Sequence, residues 1–598
     1  MEKNTVWAVV LSGLVLIIFM FLQTIFFPAA QNAVPDTSSV QPAVTADGTI
    51  PVINEAASVS SFTVDKPVVE EQLVLEETFV VQTNKVKVTL TNRGGDITGF
   101  ELMDHKDGEA GVQMADSISK ANRAFAMSFG GYKAPIIDEV FNVKKINDLT
   151  YGFYKRFTVS NTDGSVNSFT LVKQYTFNQD DYMFKLDIMI DGEEGMKGLD
   201  FNNSAYTLRT SPQIGPHFNK KQDRYESRTF MSYTDAKRKK QVLGDNAVKE
   251  YEKTYSWTGV GGKYFAVLVA PVQPVSMGSV FYSTAIEQDE YANAQVLLTR
   301  KPITQKNIQD TYYIYIGPRT EKSLKIYNTA AENDWNLSGL RLDDSLESTG
   351  MLSWLEAIMK WCMEFFYKLI PNWGVSIILM TILLKIVLFP LTKKSSVSTL
   401  KMQELQPQIK ELQDKYKATP EKMNVEMAKL YKEAGHNPIM GCLPMLIQFP
   451  IIIAMFNLFN NYFEFRGAMF IPGWIPDLSA PDSIFMLNFS IPFLGNHIRI
   501  LPVVYLISQV FFGKITQSNT NAGANAAQMK ILTMGMPFFF FFIFYNSPSG
   551  LLIYWTISNL LQMVQQLAIN KMMHAKKVEL ALNKGPEKPV FTAKKKKK

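Results

Sequence analysis

Hydrophobic and polar positions follow two different rules along this chain. Long apolar runs crowd its two ends, and a charged sequence of period two lies between them. The first run, Val6–Phe27, follows the short polar start MEKNT and has about twice the usual length of a signal-peptide core. It predicts a retained transmembrane anchor over 1–28 rather than a cleaved leader. Residues 29–77 read as a flexible linker, because 31–60 are rich in Ala, Pro, Val, Ser and Thr with almost no charge.

From Thr78 the pattern changes to alternation. In Thr83–Leu90, Val86, Val88 and Leu90 alternate with Lys85, Lys87 and Thr89, and the turn-forming run Asn92-Arg93-Gly94-Gly95-Asp96 follows. Comparable strands are predicted at Phe157–Val159, Ser168–Phe177, Tyr182–Ile190, Ala266–Ala270, Gly278–Tyr282, Gln295–Thr299 and Thr311–Ile316. Many short strands without an intervening helical period predict an all-β antiparallel sandwich over 78–345, closed by a helix at Glu321–Asn333.

Met351–Ile370 has helical spacing. Glu356, Lys360, Glu364 and Lys368 form one charged stripe, and an aromatic-rich apolar surface covers the rest. Beside a membrane segment this predicts an interfacial amphipathic helix over 350–371, ended by Pro371; packing on the sandwich is the alternative. Asn372–Lys394 is apolar over about a bilayer's thickness, with Trp373 at one end and Lys393–Lys394 at the other. Leu405, Ile409, Leu412 and Tyr416, then Met423, Met427, Leu430 and Ala434, repeat a 4-3-4 spacing. With Thr419 and Pro420 at a start and Gly435 at a stop, 393–436 reads as a helical hairpin. Four more apolar runs follow: Ile439–Leu458, Leu501–Ile515, Ile531–Tyr545 and Leu551–Ala568. The expectation is a bundle of five transmembrane helices over 372–570 and a basic tail over 571–598. The lysines put hairpin and tail inside and the strands outside, with both termini inside.

Composition adds less than placement does. The 598 residues are 46% hydrophobic and 19% charged, with a net charge of +6. Cys362 and Cys442 are the two cysteines and lie far apart in sequence, so no disulfide framework is implied. The five histidines are isolated, no metal-ligand spacing occurs, and Gly259, Gly261 and Gly262 lack the context of a nucleotide loop. No catalytic, metal or cofactor site is expected.

The informative polar residues lie inside the apolar runs. Lys385 sits eight positions before Lys393, about 12 Å deeper at ~1.5 Å per residue. An ammonium there costs at least ~2.5 kcal/mol on insertion scales. It either snorkels to the nearer interface or charges a water-filled cavity; the cavity reading is preferred, with Thr381 on the same helix face. Gln448, Asn457, Gln509, Ser558, Asn559, Gln562, Gln565 and Gln566 are candidates for interhelical hydrogen bonds one by one, and for a hydrated interior together. Pro390 and Pro444 are expected to break helices.

The run NWGVSIILMTILLKIVLFPLT, then LQPQIKEL, MAKLYKEAGHNPIMGCLPMLIQFPI and SPSGLLIYWTISNLLQMVQQ, resembles the YidC-type membrane protein insertases over Pro371–Asn570. TNRGGDI at Thr91 and YIGPR at Tyr315 more loosely resemble the periplasmic sandwich of Gram-negative members. The resemblance implies an inner-membrane insertase and chaperone without a cofactor. It implies a groove open to cytoplasm and lipid, closed outside, and holding one positive charge. Family members usually carry arginine there, where this chain has Lys385, and often a tyrosine where it has Trp555. Substrate segments would slide past Met445, Phe449 and Phe456 on one helix and Met534 and Phe538 on another. Partners so implied are nascent membrane proteins, the Sec translocon, the lipid bilayer, and the ribosome through tail and hairpin. A secondary transporter should show repeated halves with paired broken helices, and none is visible. An anchored external binding protein would instead place function in the sandwich.

Overall fold

The computed structural model describes residues 74–583 except 117, 161–163, 217–225, 243–246, 273–276, 286–291, 347–349, 418, 435–442, 492–493 and 518–534. The expected anchor, nearly all of the linker, Met534 and the lysine-rich end of the tail lie outside the described residues. The chain divides at about Ser345 into a sheet unit and a helical unit.

In the sheet unit, β1 (Thr78–Gln82), β2 (Val86–Thr91), β3 (Asp96–Asp107) and β4 (Ala110–Gln113) form one sheet in that order. The largest sheet uses β6 (Asn142–Asn147), β7 (Thr150–Ser160), β8 (Val166–Phe177), β9 (Met183–Gly192), β11 (Thr229–Thr234), β12 (Lys237–Gln241), β14 (Trp257–Gly261), β15 (Phe265–Pro271) and β18 (Asn307–Pro318). Its spatial order is β12-β11-β14-β15-β18-β9-β8-β7-β6. A third sheet takes β5 (Met127–Phe129), β10 (Tyr206–Arg209), β13 (Ala247–Lys253), β16 (Met277–Ala285) and β17 (Ala292–Arg300). Neighbouring strands pair antiparallel throughout, as the short-strand pattern implies.

Period two is plain in β8, where Phe169, Leu171, Tyr175 and Phe177 point inward. The same alternation buries Lys173 completely. Its Nζ donates to Asp96 Oδ1 at 2.5 Å, Phe125 O at 2.9 Å and Gly94 O at 3.1 Å. Arg123 Nε donates to Asp96 Oδ2 at 2.8 Å. The glycines weighed as a nucleotide loop belong instead to β14 and its exit. A Cβ on Gly259 would stand 2.0 Å from Val267 O, so the close approach of β15 requires a glycine there. The helix expected over Glu321–Asn333 is shorter than its pattern suggests: α1 covers Glu321–Lys325, and 3-10 turns follow at Ile326–Asn328 and Ala330–Glu332. Thr320 caps it, its hydroxyl accepting from Ser323 N at 3.1 Å.

The helical unit contains α2 (Ser353–Leu369), α3 (Trp373–Lys415), α4 (Pro420–Glu433), α5 (Leu443–Asn461), α6 (Leu501–Gln517), α7 (Met536–Phe544) and α8 (Ser549–Asn583), with a hairpin of β19 (Phe485–Ile491) and β20 (Gly495–Ile498) before α6. Asn372 caps α3 through its side-chain oxygen, which accepts from Val375 N at 3.1 Å. The first arm of the expected hairpin is not a separate helix, because α3 runs unbroken into it over 43 residues. Pro390 therefore does not break the helix; it lies inside α3, as does Pro407. Proline removes one backbone bond and strains its turn, and the rest of the backbone ladder carries the helix across that loss. Pro444 does not break a helix either. It occupies the first turn of α5, where its missing N–H would have had no intrahelical partner.

Among the described residues one helix, Trp373–Ser398, is both long and apolar enough to cross a membrane; Ile447–Asn461 and Leu501–Ile515 are shorter apolar helices. At 35 residues α8 spans ~52 Å, more than a bilayer needs, and its run of amides lowers the mean hydropathy.

Candidate functional site: a polar cleft at Lys385

The cleft follows from helical spacing on three helices. From α3 come Leu384, Lys385, Leu388, Leu391 and Thr392; from α5 Ile447, Gln448 and Ile451; from α8 Tyr554, Ser558 and Gln562. The α8 set is spaced i, i+4, i+8 and so forms one stripe. The cavity between them is small, about 30 Å³, partly open to the outside and large enough for water.

Lys385 Nζ donates to Gln562 Oε1 at 3.0 Å. One turn further along α8, Gln565 Nε2 donates to the backbone oxygen of Lys385 at 3.2 Å. Two amides of one helix therefore grip the same residue of another. Among the described residues no carboxylate pairs with Lys385, so the ammonium meets a neutral amide on one side and the cleft on the other. Ser558 Oγ is buried in the cleft wall without a protein partner among the described residues, an atom that water in the cleft would satisfy.

The residues singled out in sequence separate into groups. Lys385, Gln448 and Gln562 meet in the cleft. Thr381 does not: it is fully buried, and its hydroxyl donates to Ile377 O of its own helix at 2.6 Å. Asn559 turns toward α6, with Nδ2 donating to Ser508 Oγ at 3.2 Å. Gln509 lies on α6, and its Oε1 is buried without a partner among the described residues. Phe456 is buried in α5, Phe449 is half-buried, and Phe538 is half exposed on α7. Met445 and Pro444 lie in the first turn of α5. Sequence reading missed Thr392, Tyr554 and the hydroxyl of Ser508. The spacing Tyr554–Ser558–Gln562 was the available signal.

The Trp373 end of the same bundle is filled. Trp373 stacks on Tyr367 with ring centroids 4.2 Å apart, and Tyr462 and Phe465 close on it edge-on. Asp482 Oδ2 accepts from Ile500 N at 2.8 Å and Leu501 N at 3.0 Å, capping α6. Arg499 ties Asp482 O at 2.9 Å to Asn546 Oδ1 at 3.1 Å. Ser549 N and Oγ both donate to Ala480 O. A Cβ on Gly374 would sit 2.0 Å from the Phe470 ring, so loop and helix meet through a glycine.

α2 is turned inside out relative to a soluble amphipathic helix. Glu356, Met359 and Met363 are its buried residues, while Trp354, Ile358, Trp361, Phe365 and Leu369 are exposed. The charged stripe faces α5: Asn457 Nδ2 donates to Glu356 Oε1 at 3.2 Å, and Tyr462 OH to Glu364 Oε1 at 2.8 Å. An outward apolar face beside a spanning helix suits lipid.

Comparisons with known proteins agree in direction. The family described as 60Kd inner membrane protein matches residues 365–577, and the YidC periplasmic domain matches 78–362. A protein of Treponema denticola named "Membrane protein insertase YidC" is 46% identical over 96% of this chain and 100% of its own length. One of the same name from Treponema pallidum is 40% identical over 96% of this chain and 99% of its own. A crystal structure titled as an active YidC insertase covers 82% of this chain and 92% of its own, at 18% identity and a TM-score of 0.34. The sequence matches carry the assignment by themselves.

Proposed function

Since the chain belongs to the YidC family of membrane protein insertases, an inner-membrane family with a periplasmic domain, we propose that it inserts its substrates through the cleft at Lys385. The carrying observation is an ammonium with a neutral amide partner, in an open polar cleft, within a helix that is otherwise apolar. A nascent segment's external tail must pass through hydrocarbon, where each unsatisfied polar group costs several kcal/mol. Water and amides reaching partway across thin that barrier. Lys385 attracts an acidic tail for the moment of passage. The apolar segment then slides past Met445 and Phe449 on α5 and Phe538 on α7 into lipid, while Phe456 is buried and does not meet it. Partitioning, with the membrane potential acting on tail charges, drives the step, so no catalysis and no cofactor enter it.

The test is insertion of a single-span substrate whose external tail is varied from acidic to neutral. Lys385→Ala should impair acidic tails most, and Lys385→Glu more still, at equal protein levels in the membrane. If neither variant shows any dependence on tail charge, the role given to Lys385 is wrong.

The basic loops support a topology with hairpin, tail and both termini inside, and with the anchor and five further crossings. Cysteines at Ser479 and Ser549 should label from outside and one at Ser398 only from inside; outside labelling of Ser398 would overturn it. The tail and hairpin suit ribosomal RNA or anionic lipid, and action beside the Sec translocon is part of the same reading. Removing 575–598 should weaken salt-sensitive co-sedimentation with ribosomes, and unchanged binding across salt would reject the ribosome contact.

A further inference from the structure

The geometry points to a second lipid contact: the β19–β20 hairpin docks into the bilayer surface at the Trp373 end of the bundle. Ile484, Phe485, Met486, Phe489 and Ile498 are all exposed on it, at 40–65% of their accessible surface. Phe485, Phe489 and Ile498 share one face of the pair, which is apolar, and Met486 stands on the other beside Asn488 and its cross-strand partner His497. A hairpin folded against its own protein would hide the apolar face, and here that face is exposed.

The hairpin also lacks what keeps a strand soluble. It is a two-stranded sheet, and such a pair is marginal in water unless something covers its apolar side. Soluble edge strands are protected by charge, lysine above all. Here no Asp, Glu, Lys or Arg occurs between Asp482 and Arg499. The two flanking charges are turned inward and used, Arg499 on Asp482 O and Asn546, Asp482 on the start of α6. They clamp the base of the hairpin and leave its length without Asp, Glu, Lys or Arg.

Continuity names the occupant. β20 leads within three residues into α6, whose exposed side is Val503, Val504, Ile507 and Phe511. That side faces lipid in any member of an inner-membrane family, and the apolar surface runs from it through Ile500 and Ile498 onto the hairpin without a charged break. The uncharged polar groups Ser483, Asn488 and Asn496 suit the headgroup layer, where water still reaches backbone edges. An unpaired strand edge would also accept a strand from another protein, and the experiment separates the two.

The full chain, with Cys362→Ser and Cys442→Ser, receives a single cysteine by Met486→Cys, Phe489→Cys or, as an exposed control on α4, Val425→Cys. Each is labelled with an environment-sensitive fluorophore and reconstituted alone into vesicles of phosphatidylethanolamine and phosphatidylglycerol, with or without bromine on the acyl chains. Bromine quenches by contact. Both hairpin labels should lose fluorescence in brominated vesicles while the Val425→Cys label stays bright. If either hairpin label stays as bright as the control, the lipid contact is wrong. Because no insertion is measured, the outcome is independent of the role given to Lys385.

Discussion

Lys173 in the sheet unit and Lys385 in the helical unit both leave bulk water, and their surroundings differ in kind. Lys173 is fully buried and fully partnered: a carboxylate at 2.5 Å neutralises it and two backbone oxygens take its remaining protons. Arg123 shares the carboxylate. Burial pushes the Lys173 ammonium below its ordinary pKa, and Asp96 pulls it back. Nothing in that arrangement is left to offer a ligand. Lys385 has an amide from Gln562 and an open cleft. A neutral amide orients an ammonium without cancelling its charge, so the field of Lys385 reaches whatever enters. A buried charge with a counter-ion is architecture, and one with only a dipole beside it remains available.

The largest test of that contrast is Asp96→Ala. It strands the Lys173 ammonium in the sheet core, while Arg123 keeps Asp138, and should cost about 3–5 kcal/mol, the penalty of breaking a buried pair from one side. Thermal unfolding of the purified protein measures it, and a loss no larger than that of a surface substitution would show the pair to be dispensable. A smaller effect is expected at Gln562→Leu. A hydrogen bond to a charged group contributes about 1.5–3 kcal/mol, so insertion of an acidic-tailed substrate should fall, though less than with Lys385→Ala. Combined with Lys385→Ala it should change nothing further, whereas additive losses would mean that Gln562 acts elsewhere. The smallest effect belongs to Lys385→Arg, which keeps the sign and should leave insertion of the same substrate near the parent's level. A loss as deep as that of Lys385→Ala would mean that shape, rather than charge, is being read.

Local periodicity carried the sequence reading a long way. Val86, Val88 and Leu90 are buried in β2 as alternation requires, and β8, β9, β15 and β18 lie where their patterns put them. β6, with the sequence NVKKIN, was invisible, because an edge strand needs no apolar face. The Asp96–Lys173 pair had no signal at all: 77 residues separate its members, and only sheet packing joins them. In the helical unit the residue types inside apolar runs pointed at Lys385, Gln448 and Gln562. They could not say that Thr381 would satisfy itself on its own helix, since i,i+4 spacing fixes a face and not a partner. Prolines misled for a related reason. Propensity describes an isolated turn, and the 43-residue α3 continues through both prolines on the strength of its remaining backbone ladder.

The unbroken run of α3 has a mechanical consequence. At ~1.5 Å per residue its 43 residues measure ~65 Å, roughly twice the hydrocarbon thickness, and Lys385 lies ~45 Å from the far end at Lys415. The rod that carries Lys385 is thus longer than a bilayer is thick, with α4 folded back at its tip. A push or pull on that tip is delivered to Lys385 as tilt, diminished only where the backbone yields. The points of compliance are Pro390 and Pro407, each lacking one rung of the hydrogen-bond ladder. Pro390 stands about one and a half turns from Lys385, so the missing rung lies between the cleft and the far arm of the helix.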